Sequence, residues 1–299
     1  MRELVRELAL ALRGRVFPLL GAHAQRSHAG AGEGGDVTFA IDRVAEELLE
    51  QFVAERAPGV AFYSEDRGLV ADDGAHSVLV VDPIDGTRPA LAGLESCCVS
   101  VAAAPLEGEP RFGDITHGCV VEIKSGRVFL SGELDPCLSP NEKLDRMFWA
   151  FGFRGRPARE LTEVLAELID ASSVGGAVFD LGSSAFNMTR VITGQLDAVI
   201  EPSPLIYDEL PALQAEFERI GGGAVLTNPP YDLAGAWVLL KEAGAVVTDA
   251  RGEPLDDRPL LGSGPEHQTS FVASANAALH DAILEEVGEG IARLRAARE

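Results

Sequence analysis

One stretch restricts this chain more than any other. The apolar run Val78-Leu79-Val80-Val81 passes directly into Asp82-Pro83-Ile84-Asp85-Gly86-Thr87. The run reads as a buried strand. Two carboxylates at the exit of such a strand are costly unless they are paired or bind a metal. Pro83 prevents regular ladder pairing and turns the chain, so Asp82 and Asp85 can converge on one point. Gly86 lets a ligand approach the backbone closely. Thr87 follows with a hydroxyl suited to orienting a water. The plainer alternative is a capped turn in which Asp85 holds local amides.

The rest of the chain supplies helices and strands in alternation. Met1 to Leu20, with Leu4, Leu8, Leu12 and Leu19 interrupted by charges, reads as an amphipathic helix and not as a secretory segment. A second helix is predicted from Asp42 to Glu55, with Val44, Leu48 and Phe52 on one face. Val60–Tyr63, Cys97–Ala104, His117–Ile123 and Arg127–Leu130 read as strands, the last two joined by a Lys124-Ser125-Gly126 turn. Residues 131 to 159 are irregular, and a subdomain boundary is placed near 145, dividing the chain into 1–145 and 146–299 within one structural unit. Beyond it, Leu161–Ile169, Ser183–Ile192, Asp232–Ala243 and Ala277–Arg298 read as helices, and Leu196–Glu201 and Ala245–Thr248 as strands. Interleaved elements of this kind predict a layered α/β protein.

Composition narrows the function. The formal net charge is −22, which excludes a broad basic face for a nucleic-acid polymer. An acidic protein also repels a phosphate ester unless cations or local dipoles intervene. No apolar run approaches the ~18 residues that a membrane span requires, so a cytoplasmic protein without a membrane partner is expected. Cys97, Cys98, Cys119 and Cys137 lack metal-site spacing and read as buried small hydrophobes, with Cys97 and Cys98 on opposite faces of a strand. His117 reads as a packed histidine.

Further acids accompany the hexapeptide. Glu65 ends an apolar run in Tyr63-Ser64-Glu65-Asp66. Asp232 opens a helix in Tyr231-Asp232-Leu233-Ala234-Gly235, and Asp42 closes Asp36-Val37-Thr38-Phe39-Ala40-Ile41-Asp42. Taken singly, Asp42 and Asp232 are equally good helix caps. Taken together with Gly182-Ser183-Ser184-Ala185-Phe186-Asn187-Met188 and Gly194-Gln195-Leu196-Asp197-Ala198, they occur in one order from about residue 36 to 249. This set resembles the inositol monophosphatase family, within the wider fructose-bisphosphatase-like superfamily.

The resemblance implies an αβαβα sandwich and metal-dependent hydrolysis of phosphate monoesters. Carried over residue by residue, Glu65, Asp82 and the Ile84 carbonyl would hold one Mg²⁺. Asp82, Asp85 and Asp232 would hold a second, and Glu65 would hold a third through water. Oxygen donors suit Mg²⁺ or Mn²⁺ and not zinc. Thr87 and Glu65 would orient the attacking water, with Asp42 accepting from the Thr87 hydroxyl. Gly86 and Thr87 amides would cradle the phosphate, and Ser183, Ser184 and Glu201 would face the substrate. A small phosphorylated metabolite is the expected partner, and a homodimer the expected assembly.

Three departures bear on the substrate. Ser64-Glu65-Asp66 stands where the family commonly has Gly-Glu-Glu, and Tyr231-Asp232 where it has Trp-Asp. Glu201 matches an acid that contacts a substrate hydroxyl, yet about thirty residues separate it from Asp232. That insert carries Pro202, Pro204, Pro229, Pro230, Gly221–Gly223 and a helix expected to present Leu210, Leu213, Phe217 and Ile220. It either borders the pocket or is peripheral packing. Arg88 either touches a second substrate phosphate or makes a surface ion pair. The leading function is hydrolysis of a small polyol or sugar phosphate, with fructose-1,6-bisphosphatase or 3′(2′),5′-bisphosphate nucleotidase activity as alternatives. A non-catalytic metal- or phosphate-binding regulator is a remote alternative. A dinucleotide-dependent oxidoreductase lacks its glycine motif.

Overall fold

The structure, a computed structural model, describes residues 1–33, 35 and 37–298. Asp36, which opens the first motif, lies outside the described residues. After helix α1 (Arg2–Val16), strands β1 (His28–Ala31) and β2 (Val37–Phe39) form an antiparallel ribbon. Helix α2 (Ala40–Arg56) leads into β3 (Ala61–Ser64), β4 (Gly68–Val70) and β5 (Ser77–Asp85). A short helix α3 (Thr87–Ala92) then precedes β6 (Cys98–Pro105), β7 (His117–Glu122) and β8 (Val128–Leu130). These six strands form one sheet in the order β4-β3-β5-β6-β7-β8, antiparallel except for the β3–β5 pair.

The chain next enters a second sheet through β9 (Phe148–Ala150), α4 (Ala158–Ser172), β10 (Ala177–Phe179), α5 (Ser184–Ile192) and β11 (Ala198–Glu201). The insert follows as α6 (Ser203–Glu209) and α7 (Gln214–Ile220). Helix α8 (Pro230–Ala243), β12 (Val246–Thr248), β13 (Phe271–Ser274) and α9 (Ala277–Ala296) complete the fold. The second sheet has the order β10-β9-β11-β13-β12.

Three apolar clusters define five layers. Helices α1 and α2 cover the outer face of the first sheet through Val5, Leu8, Leu12, Ile41, Leu49 and Val53. Helices α5 and α8 fill the space between the sheets. Helices α4 and α9 cover the outer face of the second sheet. The arrangement is the expected αβαβα sandwich. Each large aliphatic side chain buried in these layers contributes about 1.5–3 kcal/mol relative to exposure. Helix α8 is apolar on nearly every side, as a helix covered from both directions must be. Gly235 lets it lie directly on β6, since a Cβ there would come within 2.5 Å of Ser100 Oγ. This close seating fixes the helix start, where Asp232 stands.

Several expectations are corrected. The buried stripe of α2 is Ile41, Ala45, Leu49 and Val53, not Val44, Leu48 and Phe52, which flank it half-buried. Small Ala45 brings the helix close, and the bulkier residues straddle the contact. The insert helix breaks at Leu210-Pro211, and Ile220 is exposed. Cys97 and Cys98 do occupy opposite sheet faces, but Cys137 is exposed. His117 is half-buried at the start of β7, with Nδ1 3.0 Å from Thr116 Oγ1.

Candidate active site

Strand β5 delivers two carboxylates because its pairing fails where Pro83 removes a donor. The β5–β6 register is regular to Asp82↔Ser100 and resumes at Asp85↔Cys98, leaving one extra residue as a bulge. Inside it, the Ile84 amide donates to Asp82 Oδ1 at 2.9 Å. Gly86 follows with φ 88°, and a Cβ there would meet the Ser96 carbonyl at 2.7 Å and Ser183 Cβ at 2.9 Å. Only glycine fits that corner. Thr87 opens α3, with its hydroxyl 3.2 Å from the Ile84 carbonyl and hydrogen-bonded to the Asp42 carboxylate.

Asp85 reaches across to the second sheet. Its Oδ2 accepts from Ser183 Oγ at 2.7 Å and from the Ala185 amide at 2.5 Å, and its Oδ1 accepts from the Ser184 amide at 3.3 Å. Asp85 thus joins Ser183 in satisfying the orphan amides at the start of α5. From the other direction, α8 begins with Pro230, and Asp232 stands in its first turn, where the helix dipole favours an anion. Glu65 lies in the turn after β3. That turn is tied down by Thr38 Oγ1 to Asp66 at 2.6 Å and by the Glu33 amide to the Glu65 carbonyl at 3.0 Å.

Glu65, Asp82, Ile84, Asp85, Gly86, Thr87, Arg88, Ser183, Ser184, Glu201 and Asp232 all line one pocket. Asp42 lies behind it, lining a small adjoining cavity with Glu46, Glu65 and Asp66. The acids share a field that opposes ionisation. Desolvation, then repulsion from Asp232 and Asp42, holds Glu65 well above the ordinary range. Desolvation, then Asp85 and Asp232, does the same to Asp82. Asp232 is pushed up to about 8 by desolvation and Asp85, against the pull of Arg154 and Arg156. Asp85 rises less, to about 6, because its hydrogen bonds favour the charged form. Desolvation raises Asp42 to about 7.

These acids are an oxygen-only donor set with no lysine or histidine among the pocket residues. Among the described residues, no three His, Cys, Asp or Glu side chains already stand close enough together to hold an ion. The donor chemistry nonetheless fits a hard divalent cation, which would relieve the mutual repulsion that opposes ionisation of the carboxyls.

Four further neighbours complete the site without a motif to mark them in the sequence. Glu46 is buried and accepts from Ser64 Oγ at 2.8 Å and from the Asp66 amide at 3.5 Å, on either side of Glu65. Its position one helical turn after Asp42 was the available signal. Arg154 and Arg156 line the pocket from the irregular segment after β9, and Asn228 from the end of the insert. Buried Arg156 is ion-paired with Glu201, its Nε donating to Oε2 at 2.6 Å. Asn228 Nδ2 donates to the same oxygen at 3.1 Å, and the Ser203 amide to Oε1 at 2.8 Å. Arg88 lies over the Phe39 ring, 5.5 Å from its centroid, inside the pocket wall.

A carboxylate-lined pocket between two sheets of an αβαβα sandwich places this chain among proteins of one family, whose members are phosphatases that hydrolyse phosphate monoesters. The family model of the inositol monophosphatase family matches residues 1–292, and the chain belongs to that family. It is 26% identical over 288 residues to the fructose-1,6-bisphosphatase/inositol-1-monophosphatase of Thermococcus kodakarensis, covering 95% of each chain. It is also 25% identical to the bifunctional NADP phosphatase/NAD kinase of Methanocaldococcus jannaschii, over 90% of this chain and 47% of that one. Among solved structures, the extragenic suppressor protein suhB from Bartonella henselae superposes with a TM-score of 0.72 at 18% identity, over 96% of this chain and 98% of that one. An inositol monophosphatase–fructose 1,6-bisphosphatase superposes with a TM-score of 0.71 at 18% identity, over 95% and 98%.

Proposed function

We propose that the chain hydrolyses a small phosphorylated polyol or sugar with the help of two or three Mg²⁺ ions, Mn²⁺ being able to substitute. The observation that carries this reading is the group Glu65, Asp82, Asp85 and Asp232, whose desolvation and mutual repulsion make them poor company without an added cation. Together with the Ile84 carbonyl they would hold the ions. Bound there, Mg²⁺ supplies charge neutralisation for the phosphate and a water acidified towards neutral pH.

The protein's own groups do the rest. Thr87 and Glu65 orient the attacking water, and Asp42 holds the Thr87 hydroxyl in place by accepting from it. The Gly86 and Thr87 amides, at the start of α3, point donors at the phosphate. Ser183 and Ser184 keep Asp85 aimed. In this reading, residues 1–145 supply the chemistry, and 146–299 supply Asp232 and most substrate contacts. The family likeness adds a homodimer acting in the cytoplasm to the proposal. No helix among the described residues is long and apolar enough to cross a membrane.

The test is release of phosphate from a panel of esters with Mg²⁺, with Mn²⁺ and in EDTA. Turnover restored by either ion after dialysis is expected. Undiminished turnover in EDTA would overturn the metal-dependent reading.

A further inference from the structure

Helix α2 turns one carboxylate inward against its own pattern. Its buried stripe is Ile41, Ala45, Leu49 and Val53, yet Glu46 beside them is only 3% exposed. The acids Glu47, Glu50 and Glu55 of the same helix lie at the surface. A carboxylate taken out of water is costly unless it makes good bonds. Oε2 of Glu46 accepts from the buried Ser64 hydroxyl at 2.8 Å, and the Asp66 amide points at Oε1 from 3.5 Å. Its two oxygens thus hold the residues on either side of Glu65.

Glu65 depends on such a hold. The β3–β4 ladder ends at Ser64↔Gly68, which leaves Glu65, Asp66 and Arg67 as an unpaired tip. Two ties already described, from Thr38 to Asp66 and from the Glu33 amide to the Glu65 carbonyl, come from the two-stranded β1–β2 ribbon and its loop. Glu46 comes instead from a helix of 17 residues seated on the sheet. The hydroxyl it holds is a departure of this chain, since Ser64 stands where the family commonly has a glycine, which has no side chain to hold.

We propose that Glu46 is a positioning residue for Glu65: by holding the Ser64 hydroxyl it fixes the backbone from which the Glu65 carboxylate enters the pocket. Outer groups of this kind orient the ligands of a cation without touching the ion. The inference rests on the metal-dependent reading above and gives that site a support that lies outside its motifs.

The experiment is a calorimetric titration of the metal-free protein with Mg²⁺ alone, with kcat and KM for inositol 1-phosphate measured alongside. Glu46→Leu should weaken Mg²⁺ binding by roughly 10–100-fold, the usual range for removing such a support, and should lower kcat more than it raises KM. Glu46→Gln keeps an acceptor for Ser64 while removing the charge, and should recover most of that loss. Ser64→Ala, a smaller truncation, should reproduce the loss in weaker form and serves as the test if Glu46→Leu does not fold. In a Glu65→Gln background, Glu46→Leu should add little, because the group it aims is already disabled. Wild-type Mg²⁺ affinity in folded Glu46→Leu or in Ser64→Ala would overturn the proposal. Equal losses in Glu46→Gln and Glu46→Leu would do the same, by showing that the charge acts alone. An undiminished effect in the Glu65→Gln background would also overturn it. A wild type that takes up no Mg²⁺ would instead sink the metal-dependent reading, and the role of Glu46 with it.

Discussion

The floor and the wall of the pocket handle buried acid in opposite ways. On the wall, Glu201 is paired with Arg156 and bonded to Asn228 and Ser203. Glu122 and Arg190, far inside the fold, are paired in the same manner. On the floor, Asp82 and Asp232 face other carboxylates, with burial and repulsion both raising their pKa. A buried charge with a protein partner holds structure together; a group of buried charges set against one another stores a demand for a cation from outside. The two regions should therefore respond to substitution with opposite signs of stability.

The largest expected effect is on the floor. Asp82→Asn should lower kcat/KM by on the order of 10³-fold or more, as expected for an electrostatic partner of the reacting centre. In EDTA the same variant should melt higher than the wild type, because one repelling charge is gone. A lower melting temperature would break the contrast. On the wall, Glu201→Gln should destabilise by about 3 kcal/mol by leaving Arg156 buried without its counter-charge. Urea unfolding measures this, and the double variant Glu201→Gln/Arg156→Met should recover most of the loss.

Between these, Thr87→Ala should cost about 10²-fold in kcat, the usual loss for one positioned catalytic group. Calorimetric Mg²⁺ affinity should be nearly unchanged. A near-wild-type kcat would remove Thr87 from the mechanism.

Titration sharpens the comparison further. Asp42 and Glu46 at about 7 and Asp232 at about 8 lie above their unfolded values, so the folded state binds more protons than the unfolded chain from the acid range up to those values. Stability of the metal-free protein should then fall as pH rises from 5 to 8. The melting temperature in EDTA should drop by several degrees over that interval, and saturating Mg²⁺ should flatten or reverse the slope. A rising curve in EDTA would contradict the repulsion described on the floor. The smallest effect is expected from Asn228→Ala. It removes the Nδ2 bond to Glu201 and the acceptor of Ser184 Oγ, for about 1 kcal/mol of stability and a few-fold rise in KM.

The floor was legible in the sequence because its residues follow local rules. An apolar strand interrupted by proline, a glycine corner and a helix start can each be read within a few positions, so Asp82, Asp85, Thr87 and Asp232 emerged from short motifs. The wall is built by long-range closure and escaped notice. Arg156 meets Glu201 across 45 residues, and Asn228 meets Glu201 across 27. Strands β9 and β10 have three residues each, too few for an alternation to register, and β9 lies inside the segment read as irregular. The insert shows both outcomes at once. Leu205, Ile206, Tyr207, Leu213 and Phe217 are core of the outer layer, while residues 225–229 line the pocket. Its helices behave as packing and its irregular return segment as wall, a division that no composition of the segment announces.

Asp85 has a consequence for how such a chain can change over generations. Because its carboxylate receives the first amides of α5, it belongs to the folding of the second layer as much as to the chemistry proposed for the first. The two amides sit on different oxygens, so an asparagine would turn its NH2 towards one of them, and drift at this position is penalised before catalysis is ever tested. The Arg156–Glu201 pair also lines the pocket, but its two members can be exchanged together for an apolar pair at little loss of stability. Innovation in substrate choice therefore has an open route at the wall, while the floor is held in place by the architecture itself.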